Sequence, residues 1–306
     1  MNKRKLWFFI KLIFGLCVFY YFIFHKIDFS VLSDIKISYL FFLFSSLSII
    51  TSLLIIVIRT IRWQYMLKKY YGHKFNFWHI QKIIYIGQFF SSFTPGRAGD
   101  LVRANYLKDE MGLPIAVSSV ISERLFDIFV ISLSAIWSFV VFYDELIPLL
   151  RNLSTILLVI VFVVIVVSII LFYKLLKKEH IKEALSFIKK IRFESFVVVC
   201  FWSFVIWFFT YIQAYLLTRA LGFNVSLVSV LSISGAMVIP NLLPITIASI
   251  GTTELTAFYL FSLVGVPPGL GVISLWLTNI VLTFMPAFIG YLFYLAYKKS
   301  EGRNDG

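Results

Sequence analysis

Apolar residues in this chain fall into long, nearly unbroken runs separated by short polar stretches. Runs such as 153–173 and 196–217 exceed the roughly 18 apolar residues that mark a membrane-crossing helix. The pattern predicts about six full spans, near 6–24, 39–58, 120–143, 153–173, 196–218 and 270–297. Two further segments are apolar but interrupted. In 78–115, the run from Ile80 to Phe93 is too short to span comfortably, and it ends at Thr94, Pro95 and Gly96, with Gly99 following. In 226–266, the breaks are Pro240, Pro244 and Gly251.

Charge next to the spans orients them. Lys3, Arg4 and Lys5 precede the first span, Lys68, Lys69 and Lys74 follow the second, and 174–194 holds seven Lys and Arg. By the positive-inside rule these lie in the cytoplasm, as do Lys298, Lys299 and Arg303, so both termini are cytoplasmic. With that orientation, 78–115 enters from the cytoplasm and returns to it, and 226–266 does the same from outside. Each is expected to be a re-entrant hairpin, opposite in direction, one per half of the chain. Such a pair points to an inverted repeat with a site near the midplane. The alternative is that each proline merely kinks a full helix. The segment 174–194 reads as an interfacial helix. The start, MNKRK before a long bulky apolar run, reads as an uncleaved first helix rather than a signal peptide.

Composition fits this picture. Of 306 residues, 60% are hydrophobic and 14% charged, too apolar for a soluble domain. The expected class is an all-α polytopic membrane protein, with residues 1–306 forming one integral membrane domain and no soluble domain at either end. The net charge of +13 follows from the loop cations and anionic lipid contact, so no nucleic-acid partner is expected. Cys17 and Cys200 form no spacing motif, the four histidines are scattered, and neither metal nor cofactor is suggested.

Candidate chemistry concentrates after the first break. Arg97, Asp100 and Arg103 follow Pro95 and Gly96, and Glu123, Arg124 and Asp127 sit near the start of the next span. Charge and broken backbone are both costly at membrane depth, and together they suggest a protein-lined or watery cavity. A half-helix start is an anion site, and arginine forks can hold a phosphate. Asp100 can orient one arginine or receive a cationic head group. The competing reading is a salt-bridge cluster at the cytoplasmic rim, with Glu123, Arg124 and Asp127 snorkelling to the interface. Glu254, isolated in an apolar stretch, is expected to meet an arginine from the other half or to titrate during a cycle. Arg59, Arg62 and Trp63 read as a basic and aromatic interface anchor. No P-loop, GxGxxG, HExxH or GxSxG motif is present.

These pieces resemble the membrane domain of lysylphosphatidylglycerol synthases/flippases, a family that also holds stand-alone and dolichol-phosphate-sugar synthase-like membrane proteins. The matching residues are Arg59-x-x-Arg62-Trp63, Gly87 through Thr94-Pro95-Gly96-Arg97-Ala98-Gly99-Asp100-x-x-Arg103, Glu123-Arg124-x-x-Asp127, and Pro244 through Gly251-x-x-Glu254. Thr252 and Thr253 depart from the family's glycine-richer turn. The resemblance implies a lipid translocase-like fold in a prokaryotic plasma membrane. Full-length members carry a soluble acyltransferase-like domain; without one, this chain is not expected to transfer lysine from tRNA. Three functions follow: a flippase-like transporter of a phospholipid or polyprenyl-phosphate-linked lipid, aminoacyl-phosphatidylglycerol among the candidates; a membrane transferase acting on a polyprenyl-phosphate sugar; or a non-catalytic partner of a separate lipid synthase. The partners implied are a membrane lipid, and a second copy of the chain or a lipid-synthesising enzyme.

Overall fold

The computed structural model describes residues 20, 37–145, 193–237 and 251–304. Every regular element among them is helical. In chain order these are α1 (Tyr39–Tyr71), α2 (Phe77–Ser92), a 3-10 helix (Pro95–Tyr106), α3 (Lys108–Met111), α4 (Leu113–Val141), α5 (Phe193–Ala220), α6 (Leu227–Ala236), α7 (Thr252–Leu263), α8 (Pro268–Asn279), a single π turn (Ile280–Phe284) and α9 (Met285–Asn304).

Among the described residues, four helices are long and apolar enough to cross a membrane: Tyr39–Tyr71, Leu113–Val141, Phe193–Ala220 and Pro268–Lys299. Most of each apolar stretch is not covered by protein. Leu47, Ile50, Leu53 and Leu54 of α1, and Leu133, Ile136 and Trp137 of α4, stand exposed, as side chains facing lipid do. The chain is a multi-pass helical membrane protein. The spans expected at 6–24 and 153–173, the basic segment 174–194, and Pro240 and Pro244 lie outside the described residues.

The second span needs correction. It does not stop at residue 58 but continues to Tyr71, so Arg59, Arg62, Lys68 and Lys69 are helical rather than in a loop. The physical reason is that 59–71 contains no breaker, and the first glycine, Gly72, takes φ +75° only after it. Similarly α4 starts at Leu113, seven residues before the expected 120, after Gly112 turns the chain at φ +79°.

The chain folds back on itself between α2 and the 3-10 helix. A Cβ on Gly99 would stand 2.3 Å from Phe90 O, and one on Gly87 would stand 2.4 Å from Arg103 Cγ. Positions 90 and 99, and 87 and 103, thus face each other across a bend at Thr94. Two bonds tie the bend: Thr94 Oγ1 donates to Phe90 O (3.1 Å) and accepts from Gly99 N (2.7 Å). The outgoing leg is a 12-residue 3-10 helix. Runs beyond three or four residues are uncommon in this geometry and often mark functional segments.

The chain clusters into two compact units, each assembled from separated segments. One holds 47–130, 193–213 and 278–304; the other holds 37–46, 131–145, 214–237 and 251–277. In the first, α9 lies directly on α2. A Cβ on Gly290 would fall 1.9 Å from Tyr85 O, so only glycine permits this approach. Aromatic pairs Tyr85–Phe293, Phe89–Tyr291 and Phe90–Tyr294 continue the seam. Ser52 Oγ donates to Val281 O (2.9 Å), engaging a carbonyl in the π turn. The second unit packs α6, α7 and α8 around Val230, Ile233, Ala257, Leu260, Leu270 and Val272. It is sealed by Ser138 Oγ donating to Ser232 O and by the Thr218–Ser274 hydroxyl pair.

Candidate functional site

The first unit buries an ionic cluster of four arginines and three carboxylates. Arg59 and Arg62 come from α1, Asp100 and Arg103 from the 3-10 helix, and Glu123, Arg124 and Asp127 from α4. Local register explains each group. A 3-10 helix has three residues per turn, so Asp100 and Arg103 share one face. Glu123 and Asp127 are stacked one α-turn apart. On α1, Ser48, Ser52, Ile55, Arg59, Arg62 and Met66 are all buried, at the alternating four- and three-residue spacing of one helix face.

Arg62 is the hub. Its Nη1 donates to Asp127 Oδ1 (2.5 Å) and to Ser203 Oγ of α5 (2.7 Å). Its Nη2 donates to Glu123 Oε1 (2.7 Å) and Asp127 Oδ2 (3.2 Å). Arg103 is the second bridge: Nη2 reaches Glu123 Oε2 (2.7 Å) and Asp100 Oδ2 (3.0 Å), and Nε lies 2.9 Å from Asp100 Oδ1. Glu123 therefore takes one arginine on each oxygen. The Arg103 guanidinium also stacks 4.5 Å over the Trp63 ring, whose Nε1 donates to Ser119 Oγ (3.2 Å). Arg124 Nη2 bonds Asp100 Oδ2, and its Nη1 is 3.5 Å from Asp127 Oδ2. Arg59 is the least compensated. It makes one hydrogen bond, to the neutral Gln88 Oε1 (3.1 Å), and its Nη2 is 3.8 Å from Asp100 Oδ2.

Burial differs across the cluster. Arg62 and Arg103 have no exposed surface, Glu123 and Asp100 almost none, and Asp127 is 5% exposed. These groups do not snorkel. A buried carboxylate or guanidinium loses several kcal/mol of solvation, so ions persist here because each meets a partner in good geometry. Arg124 alone keeps a substantial exposed part, 28% of its side chain. Arg62 Nε and Arg103 Nη1 are buried without an acceptor among the described residues, which costs about 1–3 kcal/mol for each such group.

Of the residues singled out in the sequence, Asp100, Arg103, Glu123, Arg124 and Asp127 come together. The backbone of Pro95, Gly96 and Arg97 opens the 3-10 helix, and Gly99 is the close-approach point. Arg59, Arg62 and Trp63 require correction: they are buried members of the cluster, not interface anchors. Their signal was the α1 stripe, where two arginines fall in phase with Ser48 and Ser52.

Glu254 lies in the other unit, and among the described residues the expected arginine partner is not seen; the alternative, titration during a cycle, is untouched by the structure. It is buried at the third position of α7, where Gly251 N donates to Oε2 (2.7 Å). Thr253 Oγ1 (3.0 Å) and Trp276 Nε1 (3.2 Å) also donate to it. Gly251 adopts φ +90°, and the carboxylate reaches back to its N–H as in a capping box. A negative charge at a helix start is favoured by the helix dipole, so the isolated acid needs no counter-cation.

A helical, multi-pass chain that buries arginines and carboxylates against one another is a polytopic membrane protein with a built ionic cluster. The family model for the lysylphosphatidylglycerol synthase TM region matches residues 8–290, nearly the whole chain, and the chain belongs to that family. The likeness to dolichol-phosphate-sugar synthase-like proteins is not carried by this match. Neither curated sequences nor solved structures gave a match.

Proposed function

We propose that the protein is a flippase-like transporter that moves an anionic or zwitterionic phospholipid, or a polyprenyl-phosphate-linked lipid, between membrane leaflets. Its membrane is the plasma membrane of a prokaryote, with both termini in the cytoplasm. The observation that carries this reading is the buried cluster at a folded-back helix pair. A protein needing only stability gains little from buried ion pairs over apolar packing, whereas a head-group carrier needs fixed charges where lipid tails surround it. The segments 78–115 and 226–266 act as the two re-entrant hairpins of an inverted repeat, and rocking of the two inverted halves exposes the head group alternately. Asp100, Glu123 and Asp127 hold Arg62 and Arg103 in place, and Arg124 faces the phosphate. Glu254 fixes the start of α7.

The test is reconstitution of the pure protein in liposomes. Quencher accessibility of fluorescent aminoacyl-phosphatidylglycerol and of a short polyprenyl-phosphate sugar reports their movement. Movement of either lipid, lost in Asp100→Asn that still inserts, supports transport. No movement of either defeats it.

A further inference from the structure

A second group of buried polar atoms lies further back along α1, apart from the arginines. Gln213 of α5 has no exposed surface, and neither its Oε1 nor its Nε2 has a hydrogen-bond partner among the described residues. Ser48 of α1 is equally buried, and its Oγ also lacks one. Buried polar side-chain atoms are nearly always bonded, so these orphans require an explanation. Register brings them toward one level. α1 and α5 run antiparallel: Arg62 meets Ser203, and Ile55 and Ile58 share a core with Ile206, with Leu282 packed against it. Gln213 continues the buried stripe of Ser203 and Ile206. It lies ten positions beyond Ser203, and Ser52 lies ten positions before Arg62, about 15 Å along each helix, so the two stand level. Ser48 is one turn further. At this level Ser52 Oγ donates to Val281 O (2.9 Å) in the π turn. All these residues belong to the first unit.

The level is rich in oxygen lone pairs. The hydroxyl hydrogens of Ser52 and Thr51 are committed to the carbonyls of Val281 and Leu47 (2.7 Å), so both oxygens offer lone pairs only. Gln213 Oε1 adds an amide oxygen. The π turn, widened so that Met285 N reaches Ile280 O, is of a kind that recurs at functional sites. No Asp or Glu occurs in 48–52, 206–213 or 278–284. We infer that this level holds a monovalent alkali cation, with Gln213 Oε1 and Ser48 Oγ as ligands and a water of the ion's shell accepting from Gln213 Nε2. Neutral hydroxyl, amide and carbonyl oxygens suit a hard ion. Divalent calcium and magnesium sites draw on carboxylates, which these segments lack. Arg59 is two turns from Ser52, about 10 Å along α1. Arg59, Arg62, Arg103 and Arg124 each have a carboxylate oxygen within 4 Å, which offsets their repulsion of the ion. Interrupted helices supply cation ligands in ion-coupled transporters, but the binding itself does not rest on the transport reading.

The experiment is thermal unfolding of the purified full chain in neutral detergent, in sodium, potassium and choline chloride at equal ionic strength. Retention of radiolabelled sodium, or of rubidium standing in for potassium, is measured on the same protein. Sodium or potassium is expected to raise Tm over choline in a saturable way, as a ligand of the folded state does. Gln213→Leu keeps the bulk and removes the orphaned atoms. It should be at least as stable as wild type in choline, lose the Tm response to the alkali ion and retain no label. A general packing role for Gln213 would instead lower Tm equally in all three salts. If Gln213→Leu does not yield monodisperse protein, Ser48→Ala carries the same comparison. Equal Tm of wild type in all three salts with no label retained overturns the site. A response unchanged in both Gln213→Leu and Ser48→Ala overturns the assignment to these residues.

Discussion

Two arginines one helical turn apart, Arg59 and Arg62, should respond unequally to loss of charge. Replacing Arg62 by Met keeps the bulk and removes the guanidinium, so cavity formation does not confuse the result. The change strips Glu123 Oε1 and both oxygens of Asp127 of their best donor and leaves Ser203 Oγ unpaired by it. Removing one partner of a buried ion pair costs about 3–5 kcal/mol. The lower figure applies, because Glu123 keeps Arg103 at 2.7 Å and Asp127 keeps Arg124 at 3.5 Å. A loss of about 3 kcal/mol corresponds to roughly 6–12 °C in Tm. Arg59→Met loses one bond to Gln88 and a 3.8 Å contact. Its expected cost is about 1 kcal/mol or less. The assay is thermal unfolding of both variants in the same detergent, followed by tryptophan emission. Equal shifts, or a larger loss for Arg59→Met, would refute the division between the hub arginine and the least compensated one.

Other variants probe separate links. Gly99→Ala places a methyl group against the Phe90 carbonyl at 2.3 Å, so the bend must open; lipid movement should be lost and Tm should fall by several degrees. Gly290→Ala collides with the Tyr85 backbone at 1.9 Å and should likewise lower Tm, whereas alanine at Gly72, which has open space, should act only through its positive φ. Glu254→Gln keeps one oxygen for the Gly251 N–H but turns an amide nitrogen toward the Trp276 Nε1–H, so it loses that bond as well as the dipole interaction, about 1–3 kcal/mol together; lipid movement in liposomes should persist, and its abolition at unchanged Tm would give Glu254 a head-group role.

Much of this architecture was legible in local pattern. Apolar length marked the four described spans, and Thr94-Pro95-Gly96 with Gly99 marked the bend. The acids after it stood out because charge is rare in such a sequence. What local pattern could not give was partnership across the chain. Arg62 meets Glu123 and Asp127 more than sixty positions away, and a basic residue at the end of an apolar run reads by default as an interface anchor. Helix length was misjudged for the same reason: ending the run at the first charge assumed that charge means water, while here a buried carboxylate pair takes water's place. Glu254 failed in the opposite direction. Three residues on from a glycine it forms a capping box, a short-range signal that its isolation in sequence obscured.

The most direct test of the account is the rate at which a fluorescent aminoacyl-phosphatidylglycerol or polyprenyl-phosphate sugar becomes accessible to quencher in liposomes holding wild-type protein, in liposomes holding Asp100→Asn that still inserts, and in protein-free liposomes. The account predicts fast movement of one of these lipids with wild type and a rate near the protein-free value with Asp100→Asn. Wild-type liposomes indistinguishable from protein-free ones would contradict it.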